Sequence, residues 1–233
     1  MVEKKTTKTT AKKSSGQKKV KAIIFDLWGT ILENGVYPSP TKQSKKILGL
    51  FDMDYPEFVV RFERAFMTSR YDNIKDGLSI VFQEFNVNPN EYNRVERLVG
   101  LWNKAKIMSR LYPETISTLE ALKKDYKLIL LSNLPATQKD LLERFGFDKI
   151  FDEIFLSYET GCIKSEGGFD KIIEKTGFKA GELIMIGDSL DSDILSAEKA
   201  GIKGILIDRR NVREYENKIL NLEEIRKKIE EVK

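Results

Sequence analysis

Histidine is absent from the 233 residues, and cysteine occurs once, at Cys162. Without histidine there is no Ser-His-Asp or Cys-His relay, no HExxH zinc motif and no imidazole acid–base chemistry. Any reaction must therefore run on carboxylates, hydroxyls, lysine, arginine or a bound metal. A single thiol excludes an internal disulfide and suits a reducing cytoplasm. It reads as a small buried side chain rather than a nucleophile, because thiolate reactivity needs a depressed pKa. No run approaches the ~18 apolar residues of a membrane span, and no signal-peptide apolar region is seen. A cytoplasmic location without a membrane partner is expected.

What is present is charge. Charged residues make up 33% of the chain, against about 25% in ordinary domains. The excess is rich in Lys and Glu, which points toward a thermophile protein. The net charge of +4 is unevenly placed: residues 1–21 carry eight lysines against Glu3 alone, a local +7, and the remainder stands at −3. The basic pI of 8.9 thus belongs to the tail and not to a nucleic-acid-binding face on the body. Residues 1–19, rich in Lys, Thr and Ser and without apolar periodicity, are predicted to be a disordered basic tail. Such a tail is a solubilising arm or a transient contact for polyanions.

The stretch around which the rest is arranged is VKAIIFDLWGTIL, Val20 to Leu32. Its β-branched apolar run stops at Asp26, and Gly29 and Thr30 suit a tight turn. A short apolar run bounded by turn residues predicts a buried parallel strand. From Glu33 to Leu111 the pattern is helical: Leu78, Val81, Phe82 and Phe85 keep helical spacing, as do Phe58, Phe62 and Phe66, and Tyr92, Val95, Leu98, Val99 and Trp102. Helix starts are signalled at Ser39-Pro40, at Asp54 with Pro56 and Glu57, and at Asn88-Pro89 with Glu91. A bundle of about four separately packed helices is predicted, with the aromatics as its core.

From Tyr112 helices alternate with short apolar strands. Strands are predicted at Lys127 to Leu131, Glu153 to Leu156, Leu183 to Ile186 and Gly204 to Ile207. The intervening helices stop at Gly146, Gly177 and Gly201, and a charged amphipathic helix spans Leu222 to Val232. This alternation predicts an α/β fold with a parallel doubly wound sheet. The division is a basic tail (1–19), a core (20–32 and 112–233) and a helical insertion (33–111).

Asp26, Ser132, Lys164 and Asp188 each fall just after a different predicted strand, and a parallel sheet gathers such residues at one edge. Two carboxylates suit a hard cation, since Mg²⁺ takes oxygen ligands, usually one or two carboxylates plus substrate phosphate. Asp193 would orient a metal-bound water. Lys164 would offset the negative charge and hold a phosphoryl oxygen. Ser132 would bind another oxygen together with nearby N–H groups, and Asp26 could pass through an aspartyl-phosphate. Asn133 would bond substrate or brace its turn. Glu33, just past the first turn, is a conceivable acid or an exposed loop charge, and Tyr37, Arg61, Arg70 and Trp102 are candidates to face the crevice.

FDLWGT at Asp26–Thr30, LLSN at Ser132, Lys164, and IGDSLDSD at Asp188 and Asp193 occur in this order, and the ordered set resembles the haloacid dehalogenase (HAD) superfamily over nearly the whole chain past the tail. The resemblance implies a Rossmann-like core with a helical cap inserted after the first motif. It also implies an aspartyl nucleophile at Asp26, with Mg²⁺ held by Asp26, the Trp28 carbonyl and Asp188. The implied activity is a phosphatase acting on a small phosphorylated metabolite. One position departs from the pattern. The family's phosphatases carry a second Asp two residues after the nucleophile, which protonates the leaving group and later activates water; here it is Trp28. Indole cannot carry that proton, and such help is worth about 10²–10⁴-fold. Weakened turnover is expected, with Trp28 as a hydrophobic wall or a substrate-stacking surface beside Gly29 and Thr30. The alternatives are a 2-haloacid dehalogenase-like enzyme, whose members have an aromatic residue at this position but use no Mg²⁺ and lack the Gly187-Asp188 pair, and a catalytically weak member binding a metal, a phospho-ligand or a protein partner.

Overall fold

The computed structural model describes residues 20–232; the expectation for residues 1–19 lies outside them. Strand β1 (Ala22–Phe25) is apolar throughout because both of its faces are covered. Ile23 and Phe25 enter one core with Leu128, Leu130, Ile184 and Ile186, while Ala22 and Ile24 enter a second with Ile129, Leu131, Leu183 and Met185. Period-two alternation thus sends successive residues to opposite helical layers.

From β1 the chain passes through β2 (Leu32–Glu33) into four helices, α1 (Pro40–Leu48), α2 (Tyr55–Met67), α3 (Ile74–Glu84) and α4 (Arg94–Met108), and returns by β3 (Arg110–Leu111). β2 and β3 pair antiparallel, with Leu32 opposite Leu111 and Glu33 opposite Arg110, so the two ends of the insertion lie side by side. Ser39 and Asp54 cap α1 and α2 through their side chains. Phe58, Phe62, Phe66, Leu78, Val81, Phe82 and Phe85 close a core of their own with Leu98 and Trp102. The start signal at Asn88 opens only a 3₁₀ turn, Glu91–Asn93. There Tyr92 and Asn93 take φ of 53° and 52°, so α4 begins at Arg94. Tyr92, expected in the core stripe, is 76% exposed as a result.

Beyond β3 come α5 (Thr115–Leu122), β4 (Lys127–Ser132), α6 (Asp140–Arg144), α7 (Phe147–Ile150), β5 (Glu153–Leu156), α8 (Ser157–Thr160), α9 (Gly168–Thr176), β6 (Leu183–Gly187), α10 (Ser196–Lys199), β7 (Lys203–Ile207), β8 (Lys218–Ile219) and α11 (Ile225–Val232). The six-stranded sheet has the order β5-β4-β1-β6-β7-β8 and is parallel at every pairing, which is the doubly wound class expected. Three details differ. The helix expected after Asn133 starts late, because the Leu134 N–H is donated to Ser157 Oγ and Pro135 has none to give. Residues Leu190–Leu195 form a π turn ahead of α10. Strand β8, two residues long, leaves no alternation to read in the sequence. None of the described helices is long and apolar enough to cross a membrane.

From β1 the chain builds outward to β4 and β5, then returns to the other side of β1 for β6 and β7. That reversal opens a crevice beyond the carboxyl ends of β4, β1 and β6, where α/β sheets bind ligands.

Candidate active site

Ser132 ends β4, Asp26 follows β1 and Asp188 follows β6, on three neighbouring strands. Lys164 reaches the same place from the loop after α8, and Asp193 from the π turn. Lys164 Nζ donates to Asp26 Oδ1 and, at 2.7 Å, to Asp193 Oδ1. Thr30 Oγ1 donates to the other Asp26 oxygen at 2.9 Å, and the Ser189 N–H to the other Asp193 oxygen at 3.0 Å. Asp26, Lys164 and Asp193 are all buried. A carboxylate oxygen from each of Asp26, Asp188 and Asp193 lies within 4.8 Å of the others.

Burial dominates the electrostatics. It raises Asp26 to about 6, with Lys164 pulling the other way and Asp193 adding to the rise. Burial, then the charges of Asp26 and Asp193, push Asp188 well above the ordinary carboxylate range. Burial would lower Lys164, but Asp193 and Asp26 outweigh it and hold the ammonium charged. One lysine therefore serves two carboxylates, while the Asp188 carboxylate takes no hydrogen bond from any described residue. Three hard carboxylate donors gathered around one paired lysine fit a small divalent cation.

Two glycines make this approach possible. Gly29 has φ of +79°, and a Cβ there would lie 2.2 Å from Asp188 Oδ2; one on Gly187 would lie 2.3 Å from Asp193 Oδ2. Gly29→Ala should therefore displace Asp188 and destabilise the fold by about 1–3 kcal/mol. Chemical unfolding measures the loss, and titration with Mg²⁺ should show weakened binding; unchanged values in both would mean that Asp188 is free to move aside.

The cluster opens into a cavity of about 740 Å³ lined among others by Asp26, Trp28, Asn133, Lys164 and Asp188. The substrate-binding candidates divide. Trp28 is half-buried on the cavity wall, its ring packed against the sheet core. Thr30 is fully buried and committed to Asp26, so its hydroxyl positions that carboxylate and does not face the cavity. Ser132 is 1% exposed and lies behind the lining. Asn133 accepts the Lys164 N–H at 3.0 Å and donates to Glu63 at 2.6 Å, bracing its turn against α2. Glu33 pairs with Arg110 in the β2–β3 ribbon, away from the cavity. Of the four candidates in the insertion, Tyr37, Arg61, Arg70 and Trp102, only Trp102 lines the cavity. Arg61 is drawn off by Glu84 and Glu57, and Tyr37 by Arg210.

Two cavity residues escaped the sequence reading. Arg213, in the connection before β8, lines the cavity and donates to the Asp188 carbonyl. Glu63 sits on α2 among Pro56, Val59, Val60 and Met67, all lining the cavity at helical spacing. A carboxylate interrupting that apolar stripe was the available signal.

Comparison with known proteins follows the same outline. Over 102 residues the chain is 36% identical to the glyceraldehyde 3-phosphate phosphatase of Methanothermobacter thermautotrophicus, covering 42% of this chain and 45% of that protein. The chain spans about half the length of this and two further archaeal proteins of that name. Over 210 residues it is 26% identical to the ribulose-1,5-bisphosphate 5-phosphatase of Halopiger xanaduensis, covering 80% of this chain and 84% of that one. The crystal structure of a HAD phosphatase from Thermococcus onnurineus superposes with a TM-score of 0.59 at 28% identity, covering 90% of this chain and 98% of that one. Residues 20–201 match the haloacid dehalogenase-like hydrolases as a family, and with its parallel sheet and the aspartate beyond its first strand the chain belongs to that hydrolase family.

Proposed function

We propose that the protein is a Mg²⁺-dependent phosphatase acting on a small phosphate monoester. The observation that carries this reading is the buried Asp26, held by Thr30 on one oxygen and Lys164 on the other, at the floor of a cavity shared with Asp188. Relatives named as phosphatases of small sugar-type phosphates support it. Asp26 and Asp188, with the Trp28 carbonyl, would hold Mg²⁺, which when bound offsets charge on a phosphoryl oxygen. Asp193 keeps Lys164 aligned, and Lys164 stabilises the transferring group by charge. Asp26 attacks phosphorus and forms an aspartyl-phosphate that water hydrolyses. Ser132 and Asn133 shape the turn beneath the phosphoryl group, and the helical insertion acts as a cap over the leaving group.

Trp28 stands where a proton-carrying Asp would be, so position 28 contributes nothing to proton transfer and turnover is weaker than it would be with Asp there. Trp28→Asp should raise kcat about tenfold or more. Turnover of p-nitrophenyl phosphate should require Mg²⁺ and vanish with EDTA. Halide release from 2-haloacids, unaffected by chelator, would reassign the site to dehalogenation. Mg²⁺ binding with no turnover in wild type or Trp28→Asp would make the chain a binding member of the family.

A further inference from the structure

With indole at position 28, the residue two places after Asp26 has no group that can give or take a proton, and Asp188 and Asp193 beside it are engaged with the candidate cation site and with Lys164. One carboxylate enters the same cavity from the helical side. Helix α2 has two apolar sides: Phe58, Phe62 and Phe66 pack into the helical core, Pro56 and Val60 line the cavity, and Val59 and Met67 touch both. Glu63 is the one carboxylate of α2 on the cavity side.

Its placement is fixed through two residues of the nucleophile's own network. Asn133 Oδ1 accepts the Lys164 N–H, which turns Asn133 Nδ2 toward Glu63, and Nδ2 donates to Glu63 Oε2 at 2.6 Å. The side-chain end of the same Lys164 is paired with Asp26. Glu63 Oε1 accepts no hydrogen bond from any described residue, so it is the oxygen left to carry a proton. The charged and titratable groups facing Glu63 are Lys164, Asp193 and Asp26 from the sheet side and Tyr55 from its own helix. Burial raises the Glu63 carboxyl to about 7, with Asn133 and Lys164 opposing, so both protonation states are populated near neutrality.

We propose that Glu63 is the general acid and base of this site, doing from the cap side what Trp28 cannot do beside the nucleophile. The proposal rests on the phosphatase reading. In the first half-reaction an Asp26 oxygen bonds to phosphorus, the bond from phosphorus to the leaving oxygen breaks, and the Glu63 proton passes to that oxygen. In the second, the Glu63 carboxylate takes a proton from water, the water oxygen bonds to phosphorus, and the Asp26–phosphorus bond breaks. Inorganic phosphate leaves and both carboxyl groups return to their starting states.

Glu63→Gln tests this cleanly, because the amide oxygen still accepts from Asn133 and the side-chain shape is kept. The comparison is between glycerol phosphate, whose alkoxide needs a proton, and p-nitrophenyl phosphate, whose phenolate leaves without one. Expected is a loss in kcat/KM, which reports the steps up to departure of the leaving group, of about 10²-fold or more on the alkyl ester and of less than about tenfold on the aryl ester. The alkyl-ester pH profile should also lose the fall above about 7 that deprotonation of Glu63 causes, while the rise on the acid side that belongs to Asp26 stays. Glu63→Asp should recover part of the activity, and Trp28→Asp placed in the Glu63→Gln background should restore alkyl-ester turnover about tenfold. Equal losses on the two esters with an unchanged pH profile, or no loss, would make Glu63 a brace for Asn133 and overturn the proposal alone. A wild type that turns over neither ester with Mg²⁺ would overturn the phosphatase reading itself.

Discussion

Asp26→Asn should fold and should lose turnover on every phosphate ester, by about 10⁴-fold or more. The amide keeps the shape of the carboxylate and an oxygen to accept from Thr30, and Lys164 retains Asp193. What it cannot do is attack phosphorus. Acid-quenched protein should carry a phosphoryl label in the wild type and none in the variant. Residual activity within tenfold of wild type would remove Asp26 from the reaction. The stability change has the opposite sense. Burial raises Asp26 from 3.8 to about 6, so the ionised form is disfavoured in the folded chain. Wild-type stability contributed at this position is therefore present below the ordinary carboxylate pKa and is lost as pH rises through about 6. In the absence of metal at pH 8, Asp26→Asn should be at least as stable as the wild type, with the advantage fading toward pH 4. Stability given up at a reactive position is common in enzymes. Thermal melts across pH measure it.

Removing the lysine acts the other way. Lys164→Met keeps most of the side-chain volume but leaves Asp26 and Asp193 buried without their shared cation. Breaking a buried pair on one side typically costs about 3–5 kcal/mol, against about 0–1 kcal/mol for an exposed pair. The deficit should be largest above pH 7 and shrink as pH falls through the raised Asp26 value, because protonation of Asp26 removes a charge that Lys164 was offsetting. Mg²⁺ should stabilise the variant more than the wild type, since it supplies the missing positive charge. Urea unfolding with and without Mg²⁺ checks both statements. A loss below about 1 kcal/mol would show that water reaches the carboxylates as freely as at a surface pair.

The helical insertion belongs to the same electrostatic unit as the sheet edge. Its contacts with the sheet side include Glu63 with Asn133, Arg64 with Glu166, and the Met67 carbonyl with Ser157 Oγ. Two of these fall next to the cluster, because Asn133 and Glu166 flank the segment that delivers Lys164. The helical side of the cavity is thus built on the same turns that position Lys164 against Asp26.

Much of the cluster was legible because its members sit where local pattern changes. Asp26 and Asp188 each end an apolar run, and Asp193 follows within one turn. Thr30 was legible as a turn residue but not in its use, because nothing local says that its hydroxyl turns back onto Asp26. Tyr92 fitted the helical spacing of its neighbours and was placed outside by the left-handed backbone at its own position. Glu63 was hidden for a different reason. Helix α2 is apolar on two sides, and spacing cannot say which side meets other helices and which meets the sheet edge.

The sequence by itself determined the five longer strands, their parallel arrangement and the residues that emerge at their ends, because periodicity and turn chemistry are properties of a few neighbouring residues; the two-residue strands β2, β3 and β8 are too short to carry such a pattern. Only the tertiary structure decided which charges become partners. Lys164 meets Asp26 across 138 positions and Asn133 meets Glu63 across 70. Pairings of that range depend on how the layers and the inserted helices pack, and so does the burial that moves the carboxyl groups away from their ordinary pKa values.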